Sequence, residues 1–202
     1  MPENKTIMGR LVKTLRRAGL IRVRDLQGQG IHPEYLRRLC QKGLVVRVGR
    51  GLYRSAHAQP TAQTGLAQVA KRVPQAVVCL LSALQFHEIG TQSPPQVWVA
   101  LDRRLARPRL DYPPLRVLRF SGPALTAGVE THMIEGVPVK VYTPAKTVAD
   151  CFKYRNKIGL DVALEALRDA LRRRKCKMDA LWRCAKVCRV TNVMRPYLEA
   201  LA

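Results

Sequence analysis

Apolar residues recur at helical spacing in the first segment of the chain. In "IMGRLVKTLRRAG", Ile7, Leu11, Leu15 and Ala18 lie three or four positions apart on one face. Arg10, Lys13, Arg16 and Arg17 occupy the rest of that surface, and Gly19 predicts the stop. "IRVRDLQGQG" predicts a short second helix around Val23 to Gln27, ended by Gly28 and Gly30. "IHPEYLRRLCQKG" predicts a third. Pro33 suits its first turn, where a missing N–H has no partner to lose, and Gly43 closes it. Leu36, Leu39 and Cys40 face inward on this helix, and Glu34, Tyr35, Arg37, Arg38, Gln41 and Lys42 face outward. "GLVVRVGRGLYRS" then alternates apolar and basic residues and breaks at Gly49-Arg50-Gly51, which predicts a hairpin. Val46, Val48 and Leu52 are expected to turn back toward the helices, with Arg47, Arg50 and Arg54 on the wing so formed.

Helix, short helix, helix and basic hairpin is the order of a winged helix-turn-helix, assigned to residues 1–57. Its third helix enters the major groove, and helix and hairpin cations grip phosphates. A small polar stretch, "AHAQPTAQTG", links it to a helix beginning near Thr61, and residues 58–202 form a second domain. There, "QAVVCLL" predicts a buried strand, and "SALQFHEIG" a helix capped by Ser82 and stopped by Gly90. "QVWVALD" and "LRVLRF" predict strands on either side of a proline-rich loop. "THMIEGVPVKVY" predicts a hairpin turning at Glu135-Gly136. "TPAKTVADCF" opens a helix with Thr143 as N-cap and Pro144 in its first turn. The tail is helical, with Leu160, Leu164, Leu167 and Leu171 in register, followed by "MDALWRCAKVCRV" and "MRPYLEALA". The fold class is therefore α+β, with a winged helix-turn-helix, a mixed α/β second domain and a helical C-terminal tail.

Charge sharpens this picture. The 202 residues hold 36 Lys+Arg against 14 Asp+Glu, a net charge of +22. That excess predicts a polyanionic partner: nucleic acid first, an anionic membrane or acidic protein second. Residues 1–57 carry 13 basic and 3 acidic residues, and residues 153–202 carry 13 and 5. The second surplus fits another nucleic-acid segment or an acidic partner equally well. No apolar run reaches the roughly 18 residues of a membrane span, and the N-terminus lacks the apolar middle of a secretory signal, so the chain reads as cytoplasmic.

Catalytic chemistry is thinly represented, and no catalytic residue, metal or cofactor is expected. Ser82 lacks a nucleophile-elbow context, and no Walker loop is present. Glu135 and Lys140, with Asp102 or Asp111, loosely imitate the acid–acid–lysine set of a metal-dependent nuclease, but Glu135 is more simply a turn residue. Cys184 and Cys188 share a helical face and could bind metal with Cys176 and a histidine. The scatter of all six cysteines better fits reduced thiols used as small core residues. His32 fits an N-terminal cap, or a base or phosphate contact, and His87 fits a helix end. Trp98 and Trp182 fit the core, whereas Tyr35 lies on the free face of the third helix.

Several stretches together resemble the AbiEi-type antitoxins of type IV (abortive infection) toxin–antitoxin systems. "LVVRVGRGLYRS" resembles that family's short wing, "VVCLLSALQFHEIG" its strand-then-helix segment, and "PPQVWVALDRR" its strand and basic turn. "IEGVPVKVYTPAKTVADCF" resembles its most specific signature, and the likeness spans roughly residues 5–175. The resemblance implies a non-enzymatic protein whose winged helix represses its own operon. It implies that the second domain is an antitoxin domain countering a nucleotidyltransferase-like toxin, without requiring a stable complex. Carried over by position, the DNA-contact candidates are Tyr35, Arg37, Arg38, Arg47 and Arg50, and Lys42 on the outward face of the third helix is a sixth DNA-binding candidate. Pro144, Lys146, Thr147 and Asp150 match the signature, with Lys146 and Asp150 set as an i, i+4 ion pair. A solitary DNA-binding regulator, or a basic protein that only neutralises an acidic partner, would carry many of the same features.

Overall fold

The structure, a computed structural model, describes residues 7–27, 30–57 and 61–201. The side chains of Arg16, Arg17 and Ala18, and the stop expected at Gly28, lie outside the described residues. The chain divides into two compact units. The first comprises residues 1–74 with 133–139, and so runs past residue 57; the second comprises 75–132 and 140–202.

In the first unit, α1 (Ile7–Ala18) leads into β1 (Leu20–Arg22), α2 (Val23–Gln27), α3 (Glu34–Gln41), β2 (Val45–Gly49), β3 (Leu52–Ser55) and α4 (Thr64–Arg72). The three strands form an antiparallel sheet in the order β1-β3-β2. Leu11 and Leu15 of α1 pack with Ile21, Leu26, Leu36, Leu39 and Val45 in one apolar cluster. β1 was not expected, since "GLIR" is too short to show a strand period. Its partner is the hairpin more than thirty residues away, with Leu20 opposite Arg54. The hairpin formed as expected, but its register differs. Val45 is buried and Val46 is 44% exposed, the reverse of the predicted inward turn of Val46. Because side chains alternate along a strand, a one-residue shift exchanges its faces. Here β2 enters the sheet with Val45 inward, and an irregularity between Arg47 and Gly49 resets the pairing before the turn. Cys40 is only half-buried, so the inner face of α3 is narrower than its sequence suggested.

A five-stranded sheet in the order β6-β5-β4-β8-β7 carries the second unit, except that residues 133–139 of its β7–β8 hairpin belong to the first. These are β4 (Val77–Val78), β5 (Val97–Asp102), β6 (Leu115–Phe120), β7 (Val129–Ile134) and β8 (Val137–Tyr142). β4 pairs antiparallel with β5 and parallel with β8, while β5 and β6 are parallel. The sheet thus combines parallel and antiparallel pairs, and together with its helices it is consistent with the α+β class. The turn between β7 and β8 is Glu135-Gly136, with φ of 48° and 74°, the left-handed pair that a two-residue hairpin needs.

Helices carry the rest of this unit: α5 (Leu80–Phe86), α6 (Pro123–Thr126), α7 (Pro144–Lys153), α8 (Arg155–Ile158), α9 (Leu160–Arg172), α10 (Met178–Cys188) and α11 (Thr191–Glu199). α7 is the axis of the core, buried from Ala145 to Phe152 and packed against α5, α9, α10 and α11. Thr143 caps it as expected, its hydroxyl accepting from the Lys146 amide at 3.4 Å.

Four expectations are corrected. The strand expected in "QAVVCLL" stops at Val78, and Leu80 already begins α5. A short apolar run bounded by turns does not distinguish a buried strand from a buried helix. Ser82 is therefore not a cap but a buried interior residue, whose hydroxyl accepts from the Trp98 amide at 2.9 Å. α5 ends at Phe86, before Gly90, because His87 and a left-handed Glu88 terminate it. On α9 the leucine stripe is not the innermost face. Leu160 is 39% exposed, and of that stripe Leu167 is buried, beside Val162, Ala163, Ala166 and Ala170. Alanines on that face let α9 and α7 approach closely.

Candidate nucleic-acid interface

α3 offers a short basic surface. His32 Nδ1 accepts from the Glu34 amide at 3.2 Å, so it serves a first-turn donor from the residue before the N-cap position, which is Pro33. Leu36 and Leu39 anchor the helix to the core, leaving Arg37 and Arg38 exposed, with Lys42 exposed at its C-terminal end. Tyr35 is half-buried and packs against the apolar cluster, and the Arg38 guanidinium lies 6.0 Å from its ring centre. Its ring is thus less available than its helical position implied.

Glu34 was read as one more outward residue, and the structure gives it a larger part. Arg37 Nε and Nη2 donate to its two carboxylate oxygens at 2.9 and 2.8 Å, and Arg38 Nε lies 3.6 Å away. The Arg37 hydrogen bond, with the Arg38 charge, holds the Glu34 carboxyl below its usual value, and the same bond raises Arg37. Exposed ion pairs contribute little to stability, but if a duplex docks on α3 this carboxylate would compete with its phosphate oxygens for Arg37 and Arg38. Glu34→Ala is expected to tighten binding to random-sequence duplex several-fold and to steepen its salt dependence by about one unit of log–log slope. Fluorescence anisotropy over a salt series measures both; an unchanged slope would remove Glu34 from the interface.

The hairpin supplies the second cationic group. Arg47 is exposed and its Nε donates to the Gly49 carbonyl at 3.3 Å. Arg50 is exposed at the turn, and its carbonyl accepts from Arg72 Nη2 at 3.3 Å. Gly49 lies directly against the Arg72 guanidinium, with no room for a Cβ. Arg72, on α4, thus backs the wing from 22 residues downstream, and nothing in the local sequence signals it. Arg54 departs from expectation. It lies half-buried on the central strand of the sheet, near Glu135, and not on the wing face with Arg47 and Arg50.

The residues considered for catalysis take other roles. Glu135 Oε1 accepts from the Thr61 amide at 3.1 Å, from the Thr61 hydroxyl at 2.9 Å and from the Thr64 hydroxyl. Burial raises its carboxyl, but these bonds and the Arg54 charge outweigh that and hold it below its usual value. Asp102 Oδ1 accepts from the Arg104 amide at 2.8 Å. His87 Nε2 is 2.7 Å from the Tyr142 carbonyl, as a helix-end histidine. Cys188 donates to Asp150 Oδ1 at 3.2 Å. Among the described residues, no three His, Cys, Asp or Glu side chains are grouped to hold a metal ion, and no helix is long and apolar enough to cross a membrane.

The exposed basic helix and wing lie within one continuous stretch that can be compared with known proteins. Residues 10–56 match the family model of AbiEi antitoxin transcriptional regulators. The matched segment covers α1 from Arg10 through β3, and all six DNA-contact candidates lie inside it. Beyond that segment, the RV2827C protein of Mycobacterium tuberculosis is similar in fold. Its crystal structure superposes with a TM-score of 0.60 at 14% identity, covering 92% of this chain and 72% of that one. No curated protein matches the sequence.

Proposed function

We propose that this chain is a DNA-binding autorepressor and the antitoxin of a type IV toxin–antitoxin system. The observation that carries the reading is the coincidence of the AbiEi match over residues 10–56 with an exposed basic helix followed by a basic hairpin. On this reading residues 1–57 are a winged helix-turn-helix that docks on duplex operator DNA in the cytoplasm. α3 enters the major groove, where Arg37 and Arg38 exchange Glu34 for base edges or phosphates, and Tyr35 contributes its exposed edge. Lys42, Arg47 and Arg50 hold the flanking phosphate backbone, with Arg72 setting the wing's position from behind. Phosphate contacts fix orientation and base contacts supply sequence preference.

Residues 58–202 then carry antitoxicity against a nucleotidyltransferase-like toxin, with no stable complex required. The signature residues have a structural task in this scheme. Thr143 and Pro144 start α7, and Lys146 and Asp150 pair within it. No chemical step is assigned to the chain.

A gel-shift titration against the chain's own upstream DNA, with random DNA as competitor at two salt concentrations, tests the repressor half. Selective retention of the upstream fragment at the higher salt is expected. Arg50→Ala should weaken all sequences alike and reduce the salt slope by about one, whereas Arg37→Ala or Arg38→Ala should cost about 1–3 kcal/mol at a single base pair. Equal binding to random DNA would overturn the repressor assignment. Growth rescue on co-expression with a neighbouring nucleotidyltransferase gene tests the antitoxin half.

A further inference from the structure

A group of seven cations that, among the described residues, form no ion pair lies in the second unit. Two concavities there meet at Arg119 and Tyr154. One, of about 420 Å³, is rimmed by Arg107, Arg116, Arg119 and Lys157, and Trp98 contributes to its wall. The other, of about 610 Å³, is rimmed by Arg119, Lys153, Lys186 and Arg189. All seven cations are exposed. Among the described residues none of them forms an ion pair, and no acidic residue lines either concavity. The contrast with α3 is direct, since both of that helix's arginines share Glu34.

Aromatic rings lie among these charges. Tyr154 stacks on Phe120 with ring centres 5.6 Å apart and planes 9° from parallel, and Lys157 Nζ is 5.6 Å from the Tyr154 ring centre. The Arg116 guanidinium is 5.7 Å from the Trp98 ring centre. Arg119 is held in place by donating through Nη1 to the Asp102 and Leu105 carbonyls at 3.0 and 2.8 Å. Cations along a groove with aromatic faces between them are the chemistry that tracks a backbone while stacking bases. A duplex keeps its bases inside a convex surface and would reach only the rims. Unpaired nucleotides can place a base inside each concavity.

We infer that the second unit binds single-stranded nucleic acid, with phosphates on Arg116, Lys153, Lys157 and Lys186 and a base against Tyr154. The inference does not rest on operator binding by the first unit. The test uses the full chain and fluorescein-labelled 12-nucleotide probes of one mixed sequence: RNA, single-stranded DNA and the DNA duplex. Lys153→Gln/Lys157→Gln/Lys186→Gln should weaken single-strand binding at least tenfold at 0.1 M salt and lower the log–log salt slope by about two. Tyr154→Leu should weaken it by roughly fivefold to a hundredfold with little change of slope. Lys177→Gln/Arg183→Gln/Arg195→Gln removes the same charge from exposed positions outside both concavities and should cost less than about threefold. The RNA and DNA single strands together show whether the sugar matters. Equal loss in the two triple variants, loss confined to the duplex, or displacement of the probe by an equal charge of polyglutamate would each overturn the inference. Circular dichroism melts of the glutamine variants, whose altered side chains are all solvent-exposed, confirm that folding is retained.

Discussion

Lys146→Met is expected to destabilise the second unit by about 3–5 kcal/mol. Lys146 Nζ lies 2.6 Å from Asp150 Oδ2, and neither side chain has any solvent exposure. The ammonium also sits 4.2 Å from the centre of the Tyr142 ring and 5.1 Å from that of Phe120. Among the described residues, the other Asp150 oxygen accepts from the Cys188 thiol alone, which burial and the Asp150 charge push up to about 12, so it remains a donor at neutral pH. Burial drives the Asp150 carboxyl upward and Lys146 opposes that shift. Without the lysine, the folded state would hold a buried carboxylate facing one weak donor, and its affinity for a proton would rise further.

The sign of the pH effect follows. An acid whose folded pKa lies above its unfolded value, about 3.9 for aspartate, opposes folding when ionised and ceases to do so once protonated. The deficit of Lys146→Met should therefore be full at neutral pH and shrink as pH falls toward 4. Lys146→Met/Asp150→Leu should recover most of the loss at pH 7, because replacing both charges by apolar groups avoids the orphaned ion. Urea denaturation at pH 7 and pH 5 measures all of this. A single-variant loss under about 1 kcal/mol would show that the pair does not support the core.

Gly19→Ala should cost about 3 kcal/mol, well above the usual cost of adding a methyl group. Gly19 has φ of 63°, and a Cβ built there would fall onto the backbone carbonyl of Glu135. Two penalties therefore add: left-handed backbone strain on an L-residue, about 1–2 kcal/mol, and displacement of the Glu135 turn from its hydrogen bonds to Thr61 and Thr64. Gly30→Ala separates them. Gly30 has φ of 69° but nothing within 4 Å of its missing Cβ, so only the strain applies. Thermal melts of the two variants should differ by the contact cost, and equal melting temperatures would exclude the clash at Gly19.

Where the sequence was legible, strong local chemistry and element period agreed. α3, the Glu135-Gly136 turn and the Thr143-capped α7 all announced themselves in this way. The pairing of Lys146 with Asp150 was readable from spacing, but its complete burial was not, since that depends on the helices that cover α7 from elsewhere in the chain. The same limit explains the missed β1, whose strand character comes from pairing with β3. It also explains Arg72, which acts on the wing from a segment read as a plain helix. Glu34 was visible as an outward residue, but a helical wheel does not show that it holds both arginines beside it. The basic concavities of the second unit draw cations from β6, α7, α8, α10 and the Arg107 and Arg189 loops, so no single stretch of sequence displays them.

The first unit takes in residues 133–139, after an interval of chain that belongs to the second. During synthesis its N-terminal part emerges complete to Pro74, but Glu135 is still to come. At about 5–20 residues per second, the ribosome needs several seconds more before the Thr61 and Thr64 hydroxyls can receive their carboxylate. The first unit therefore reaches its final form only after most of these residues have been made. A message truncated before Glu135 would release the N-terminal segment without the turn that completes its unit.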